Sequence, residues 1–112
     1  MAIPIGTKTF SSANILHVEA GTNGYHGGNS SHGSQTYLKL RDDGATCWRL
    51  KVRDGGGKEW RFDQPATIEI IAEGDTELET LTAALKFASQ VLEELVDIER
   101  KIPEISLGVR EV

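Results

Sequence analysis

Between residues 14 and 72 apolar and polar residues alternate in five short runs, and no segment suited to a crossover helix separates them. Parallel strands need such a crossover, so the pattern predicts antiparallel strands joined by short loops. Residues 14–20 place Leu16, Val18 and Ala20 on one face and Ile15, His17 and Glu19 on the other. Residues 35–41 oppose Thr36, Leu38 and Leu40 to Tyr37, Lys39 and Arg41, and residues 46–53 oppose Trp48, Leu50 and Val52 to Cys47, Arg49, Lys51 and Arg53. Residues 59–62 offer Trp60 and Phe62 to the interior, and residues 66–72 offer Ile68 and Ile70. Asp42-Asp43-Gly44 and Asp54-Gly55-Gly56-Gly57 carry turn chemistry between these runs. Taken in chain order, the runs predict an antiparallel meander of about 4–5 strands. Residues 1–12, with Ile3, Ile5 and Phe10, form a possible arm or edge strand.

The period changes at Thr76. Leu78, Leu81, Leu85, Ala88, Leu92 and Leu95 follow spacings of three and four, which predicts a helix over 76–100. Thr76 and Glu79 match a capping box, and Asp75, Glu77 and Glu79 suit the positive end of the helix. The fold class expected is therefore α+β: the meander, with one long C-terminal helix packed on one face over Trp48, Trp60, Phe62 and Ile70. Residues 101–112 read as a short tail or strand. At 112 residues the chain fits one domain spanning 1–112 and excludes large two-domain catalytic architectures. A 25-residue helix of about 37 Å exceeds what a small sheet covers. The apolar second half of that helix, Val91, Leu92, Leu95, Val96, Ile98 and Ile102, thus predicts a homo-oligomer formed through it.

Cys47 is the one cysteine, and Met1 to Ile5 carry no signal-like segment, so the sequence reads as cytoplasmic. Apolar runs of a few residues fall far short of the roughly 20 that span a bilayer, so no membrane segment is expected. The net charge is -5 and its distribution is uneven. Residues 36–61 hold seven bases against four acids, while residues 62–112 hold four against twelve. An acidic total disfavours nonspecific nucleic-acid binding, which requires many phosphates to be neutralised.

The outlying segment is 21–35, which has five of the twelve glycines, His26, His32 and no formally charged side chain. Long loops in small domains are usually functional or disordered. Backbone amides opened by glycine suit an anion or small polar ligand, and Gly24, His26, Gly27, Gly28, Asn29, Ser31 and His32 are the candidate ligand-binding residues. The Walker and dinucleotide glycine patterns are both absent. His17, Glu19, His26, Ser31 and His32 are the candidate catalytic residues of a small enzyme, histidine being able to exchange protons near neutral pH. Their spacing matches no metal motif, and no metal or other cofactor is expected. Cys47, beside Arg49 and Lys51, reads as a partly buried thiol.

Hairpin pairing of 35–41 with 46–53 predicts a cationic face of Lys39, Arg41, Arg49, Lys51 and Arg53. Tyr37 on that face gives a single-strand nucleic-acid reading, against the plainer one of a solvated surface. The function expected is a small binding, assembly or accessory module that self-associates and contacts a small polar ligand or protein partner. A small oligomeric enzyme with an inter-subunit site is the alternative.

Overall fold

The computed structural model describes residues 3–29, 32–96, 108, 110 and 112. The chain divides into two units, Met1–Leu78 and Glu79–Val112. The class is α+β, with an antiparallel four-stranded sheet, a second small sheet and one long C-terminal helix. The described strands are β1 (Ile5–Phe10), β2 (Ile15–Thr22), β3 (Gln35–Gly44), β4 (Arg49–Arg53), β5 (Glu59–Asp63) and β6 (Thr67–Glu73), and the helix α1 is Asp75–Val96. The N-terminal segment forms a full edge strand, because each residue of β1 finds a register partner on β2, from Ile5 opposite Gly21 to Phe10 opposite Leu16.

The larger sheet has the order β1-β2-β3-β6, and β4-β5 form the second sheet. The antiparallel class is as expected, but the hairpin expected between residues 35–41 and 46–53 is corrected, since β3 pairs with β6 and not with β4. The physical reason lies at Asp42-Asp43-Gly44. Gly44 stays in the ladder opposite Ile15 while Leu16 faces Asp42, so Asp43 is a bulge and not the tip of a hairpin. The Asp42 carboxylate accepts from the backbone N–H of Gly44 (2.9 Å) and of Thr46 (3.1 Å), and the chain leaves the sheet there. It returns at Ala66, whose carbonyl accepts from Asp42 N–H at 2.9 Å before β6 begins.

Between exit and return, β4 and β5 form a separate two-stranded arm with Arg49 opposite Asp63 and Arg53 opposite Glu59. Its base is clamped on both sides. The backbone N–H of Trp48 donates to Gln64 Oε1 (3.0 Å), Gln64 N–H donates to Trp48 O (3.2 Å), and Gln64 Nε2 donates to Thr46 O (2.9 Å). The indole N–H of Trp48 donates to Pro65 O at 2.8 Å, and Asn14 Nδ2 ties Thr46 Oγ1 to the sheet at 2.7 Å. Ala45 (φ 62°) and Gln64 (φ 51°) are left-handed. Each such non-glycine residue costs about 1 kcal/mol or more, which these hydrogen bonds offset.

Register sorts the main sheet into two faces. Phe10, Leu16, Val18, Leu38, Leu40, Ile68 and Ile70 share one; Thr9, His17, Glu19, Tyr37, Lys39, Arg41 and Glu69 share the other. Phe10 and Ile70 on the apolar face are 47% and 44% exposed, and among the described residues no apolar side chain is fully buried. The expectation that Trp60, Phe62 and Ile70 are interior is corrected, because all three are exposed. Trp48 lies in the connection before β4 and is half-buried, its ring fixed by the Pro65 bond instead of a strand face.

In α1 the first intrahelical bond runs from Leu78 N–H to Gly74 O (3.1 Å), so Thr76 is inside the first turn and not the cap expected of it. Leu85, Phe87, Leu92, Leu95 and Val96 of the apolar stripe are exposed. Ile98, Ile102 and most of the expected tail at 101–112 lie outside the described residues.

Candidate functional site

The Gly/His/Ser segment is shorter than its composition suggests, because β2 runs to Thr22 and β3 starts at Gln35. Asn23 begins the loop by bridging both strands: its N–H donates to Gln35 O (3.2 Å) and its Oδ1 accepts from Gln35 N–H (2.8 Å). The loop then folds around the first residue of α1. The Asp75 carboxylate accepts from the backbone N–H groups of His26 (3.1 Å), Gly27 (2.7 Å) and Ser34 (3.0 Å), while Asp75 N–H donates to Gly28 O (3.0 Å). These donors, that of His26 foremost, hold the Asp75 carboxyl below its ordinary range against the opposing effect of desolvation.

Ser34 closes the junction. It is fully buried, its Oγ donates to Gly74 O (2.8 Å), and Gly74 N–H donates to Ser34 O (2.8 Å). Gly28 is required by close approach, since a Cβ there would collide with His32 O. The opened amides thus serve an anion that is the chain's own carboxylate, where the sequence reading expected a separate ligand. A shallow hollow beside it is lined by Gly27, Gly28, Asn29, His32, Asp75 and Thr76. The structure therefore brings together Gly27, Gly28, Asn29 and His32 of the candidate ligand residues. Gly24 stands apart, its N–H donating to Thr22 Oγ1 (3.2 Å), and His26 turns its Nε2 to Asn23 O (3.0 Å). Ser31 lies outside the described residues.

His17 and Glu19 sit elsewhere, on the polar sheet face. Thr9 Oγ1 is 3.0 Å from His17 Nδ1, and His17 Nε2 is 3.0 Å from Glu19 Oε2. Because a carboxylate only accepts, the neutral imidazole carries its proton on Nε2 and accepts from the Thr9 hydroxyl. Lys39 Nζ reaches Glu19 at 3.9 Å. Arg41 makes a forked contact with Asp43 (2.7 and 3.2 Å) that lowers the Asp43 carboxyl below its ordinary range. Desolvation, with Glu69 and Glu19 nearby, raises the Tyr37 phenol.

A hydroxyl, an imidazole and a carboxylate in sequence resemble a nucleophilic relay, but acyl transfer also needs free donors for an oxyanion. β2 is paired on both sides, so its amides are committed to the ladder. His17 also lies five residues before the end of β2, roughly 16 Å from the loop at the rise of a strand. The described candidate catalytic residues fall in two places. Among the described residues no group of three or more His, Cys, Asp or Glu could hold a metal ion.

The cationic face is divided by the topology. Lys39 and Arg41 are in the main sheet, whereas Arg49, Lys51 and Arg53 are on the arm, because β4 does not pair with β3. On the arm Glu59 takes both Arg53 (2.8 Å) and Arg61, and these two cations, Arg61 first, hold its carboxyl below the ordinary range. Cys47 is exposed in the connection leading to β4, not half-buried on a strand.

Sequence reasoning missed Asp75 and Ser34 as the partners of the loop. Their signal was present but weak: one carboxylate at a helix start, and a long loop rich in unpaired amides that needs an acceptor. No family model matches the chain, and no curated protein or solved structure matches it either. Among the described residues no helix is long and apolar enough to cross a membrane.

Proposed function

We propose that this chain is a small binding and assembly module that self-associates, burying surplus apolar surface against further copies of itself. The observation that carries the reading is the exposure of its apolar residues. No described apolar side chain is fully buried, and the exposed ones include Phe10 and Ile70 on one sheet face, Ile5 and Ile71 on the other, and Leu85, Leu92, Leu95 and Val96 along α1. Along α1 they recur at helical spacing, and a contiguous apolar stripe of this kind marks an interaction surface, whereas scattered exposed residues do not.

The helix supplies one contact in this reading, through its stripe at three- and four-residue spacing. The polar parts of the molecule favour assembly over catalysis. The loop amides are occupied by Asp75, and on the sheet Lys39 pairs with Glu19 and Arg41 with Asp43. A reducing, cytoplasmic setting belongs to the same reading, since Cys47 is free and exposed. Sedimentation velocity and native mass spectrometry of the full chain test it. The expected result is a discrete species of two or more copies at micromolar concentration; a monomer persisting at several hundred micromolar refutes it.

A further inference from the structure

On the polar face of the main sheet the row Ile5, Gly21, Tyr37 and Ile71 crosses all four strands, and its second member has no side chain. Glycine weakens the interior of a strand and often marks a place where another backbone approaches closely. Here that backbone is Pro4, since a Cβ on Gly21 would collide with Pro4 O. The N-terminal segment thus seats against β2, and a cavity of about 490 Å³ opens beside it. Ile3 and Ile5 line it together with Ile71, Tyr37, Gln35 and Glu19. Small-molecule sites have this size, about 300–1,000 Å³, and this mixture of a mainly apolar lining with a few polar groups. Every described lining residue belongs to the unit Met1–Leu78, so the walls are built by one unit alone.

Charge decides the class of ligand. Glu19 is the only formally charged residue among the described lining residues. Its side chain is 21% exposed; His17 (3.0 Å) and Lys39 (3.9 Å) both approach its Oε2, and among the described residues no bond to its Oε1 is formed. Lys39 is a loose partner at that distance, which leaves the carboxylate able to accept from a ligand. In the neighbouring row Lys39 stands between Glu19 and Glu69, one cation against two acids. The same two carboxylates act on the Tyr37 phenol, so their field reaches the cavity. An anionic ligand would be desolvated beside Glu19 with no cation in the lining to offset it. A cationic one gains a charge-assisted hydrogen bond and the face of an aromatic ring.

We propose that this cavity binds a small organic ammonium: Glu19 accepts from the charged head, the Tyr37 ring flanks it, and Ile3, Ile5 and Ile71 cover its apolar body. The site is distinct from the glycine-rich loop and does not depend on self-association. A monomeric protein that binds the amine overturns the assembly reading alone.

Titration of the full chain with phenethylammonium, followed by amide and methyl NMR, tests the proposal, with phenethyl alcohol and hydrocinnamate as the neutral and anionic counterparts of similar size. Saturable shifts at Ile5, Glu19, Tyr37 and Ile71 are expected with the amine at a dissociation constant of about 1 mM or tighter. The alcohol is expected to bind at least about tenfold more weakly, and the carboxylate to leave these residues unmoved. Glu19→Gln is expected to lower the affinity for the amine to that for the alcohol while the alcohol binds as before, a pattern that unfolding does not produce. If that variant fails to fold, the ratio of amine to alcohol affinity in the wild type carries the test. Ile71 is 62% exposed, so Ile71→Ala keeps the chain folded. It is expected to weaken amine and alcohol alike, by at least about threefold. No shift at these residues with about 10 mM amine, the result if the second unit covers the cavity, overturns the proposal. Binding of the carboxylate as tightly as the amine overturns it too, as does unchanged amine affinity in Glu19→Gln or in Ile71→Ala.

Discussion

Removing one hydroxyl from the loop junction gives a prediction of defined size. Ser34 Oγ donates to Gly74 O at 2.8 Å in a site with no solvent exposure. Gly74 O also accepts the first helical bond, from Leu78 N–H at 3.1 Å. Ser34→Ala therefore removes one hydrogen bond without orphaning its acceptor. The full penalty of roughly 1–3 kcal/mol for an unsatisfied buried group is avoided, and a net loss of about 1 kcal/mol remains. Ser34→Thr keeps the hydroxyl but forces a methyl group into a closed site, so its cost is overpacking, about 1–3 kcal/mol. Urea unfolding followed by the fluorescence of Trp48 and Trp60, at one fixed protein concentration, reads both variants. With a slope of about 1–2 kcal/mol per molar, Ser34→Ala lowers the midpoint by roughly 0.5–1 M. An unchanged midpoint for both variants would mean that Ser34 is neither enclosed nor bonded as described. A loss above about 3 kcal/mol for Ser34→Ala would mean that the acceptor is orphaned after all.

The lowered Asp75 carboxyl fixes a pH dependence. Its contribution is complete above the ordinary value of 3.8 and is lost as pH falls through the lowered folded value, so the amide proton shifts of His26, Gly27 and Ser34 titrate in acid. In Asp75→Asn that acid-range titration disappears, which NMR reads directly. Gly28→Ala places a Cβ against His32 O; amide exchange at Gly27 and Ser34 is expected to accelerate at least about tenfold as the loop opens, and unchanged protection refutes the close approach. Glu59→Gln weakens the hold on Arg53 and Arg61, and chemical-shift changes confined to residues 49–63 are the expected signature. Cys47, being exposed, is expected to react fully with a maleimide in the native protein, with the far-ultraviolet circular dichroism unchanged.

Strands and the helix were legible because side-chain periodicity is a local property. Leu16, Val18, Leu38, Leu40, Ile68 and Ile70 share a face, as alternation requires. Gly21 to Gln35 stood out because no regular element absorbs so many amides and glycines. The partner of β3 was not legible. Asp42-Asp43-Gly44 has the chemistry of a hairpin turn and equally that of a bulge, and only the ladder opposite Ile15 and Leu16 distinguishes them. The same ambiguity led Lys39 and Arg41 to be grouped with Arg49, Lys51 and Arg53.

By itself, then, the chain's order of residues determined which segments extend, which one coils, and that residues 21–35 stand apart as a glycine-rich loop. Tertiary structure alone decided that the loop's amides close on Asp75, which lies 49 residues beyond His26, and that residues 49–63 stand apart as an arm. The reason is physical. Periodicity and turn chemistry act within a few residues, whereas strand partners and buried hydrogen bonds are chosen by which distant groups are left unsatisfied once the local elements have formed.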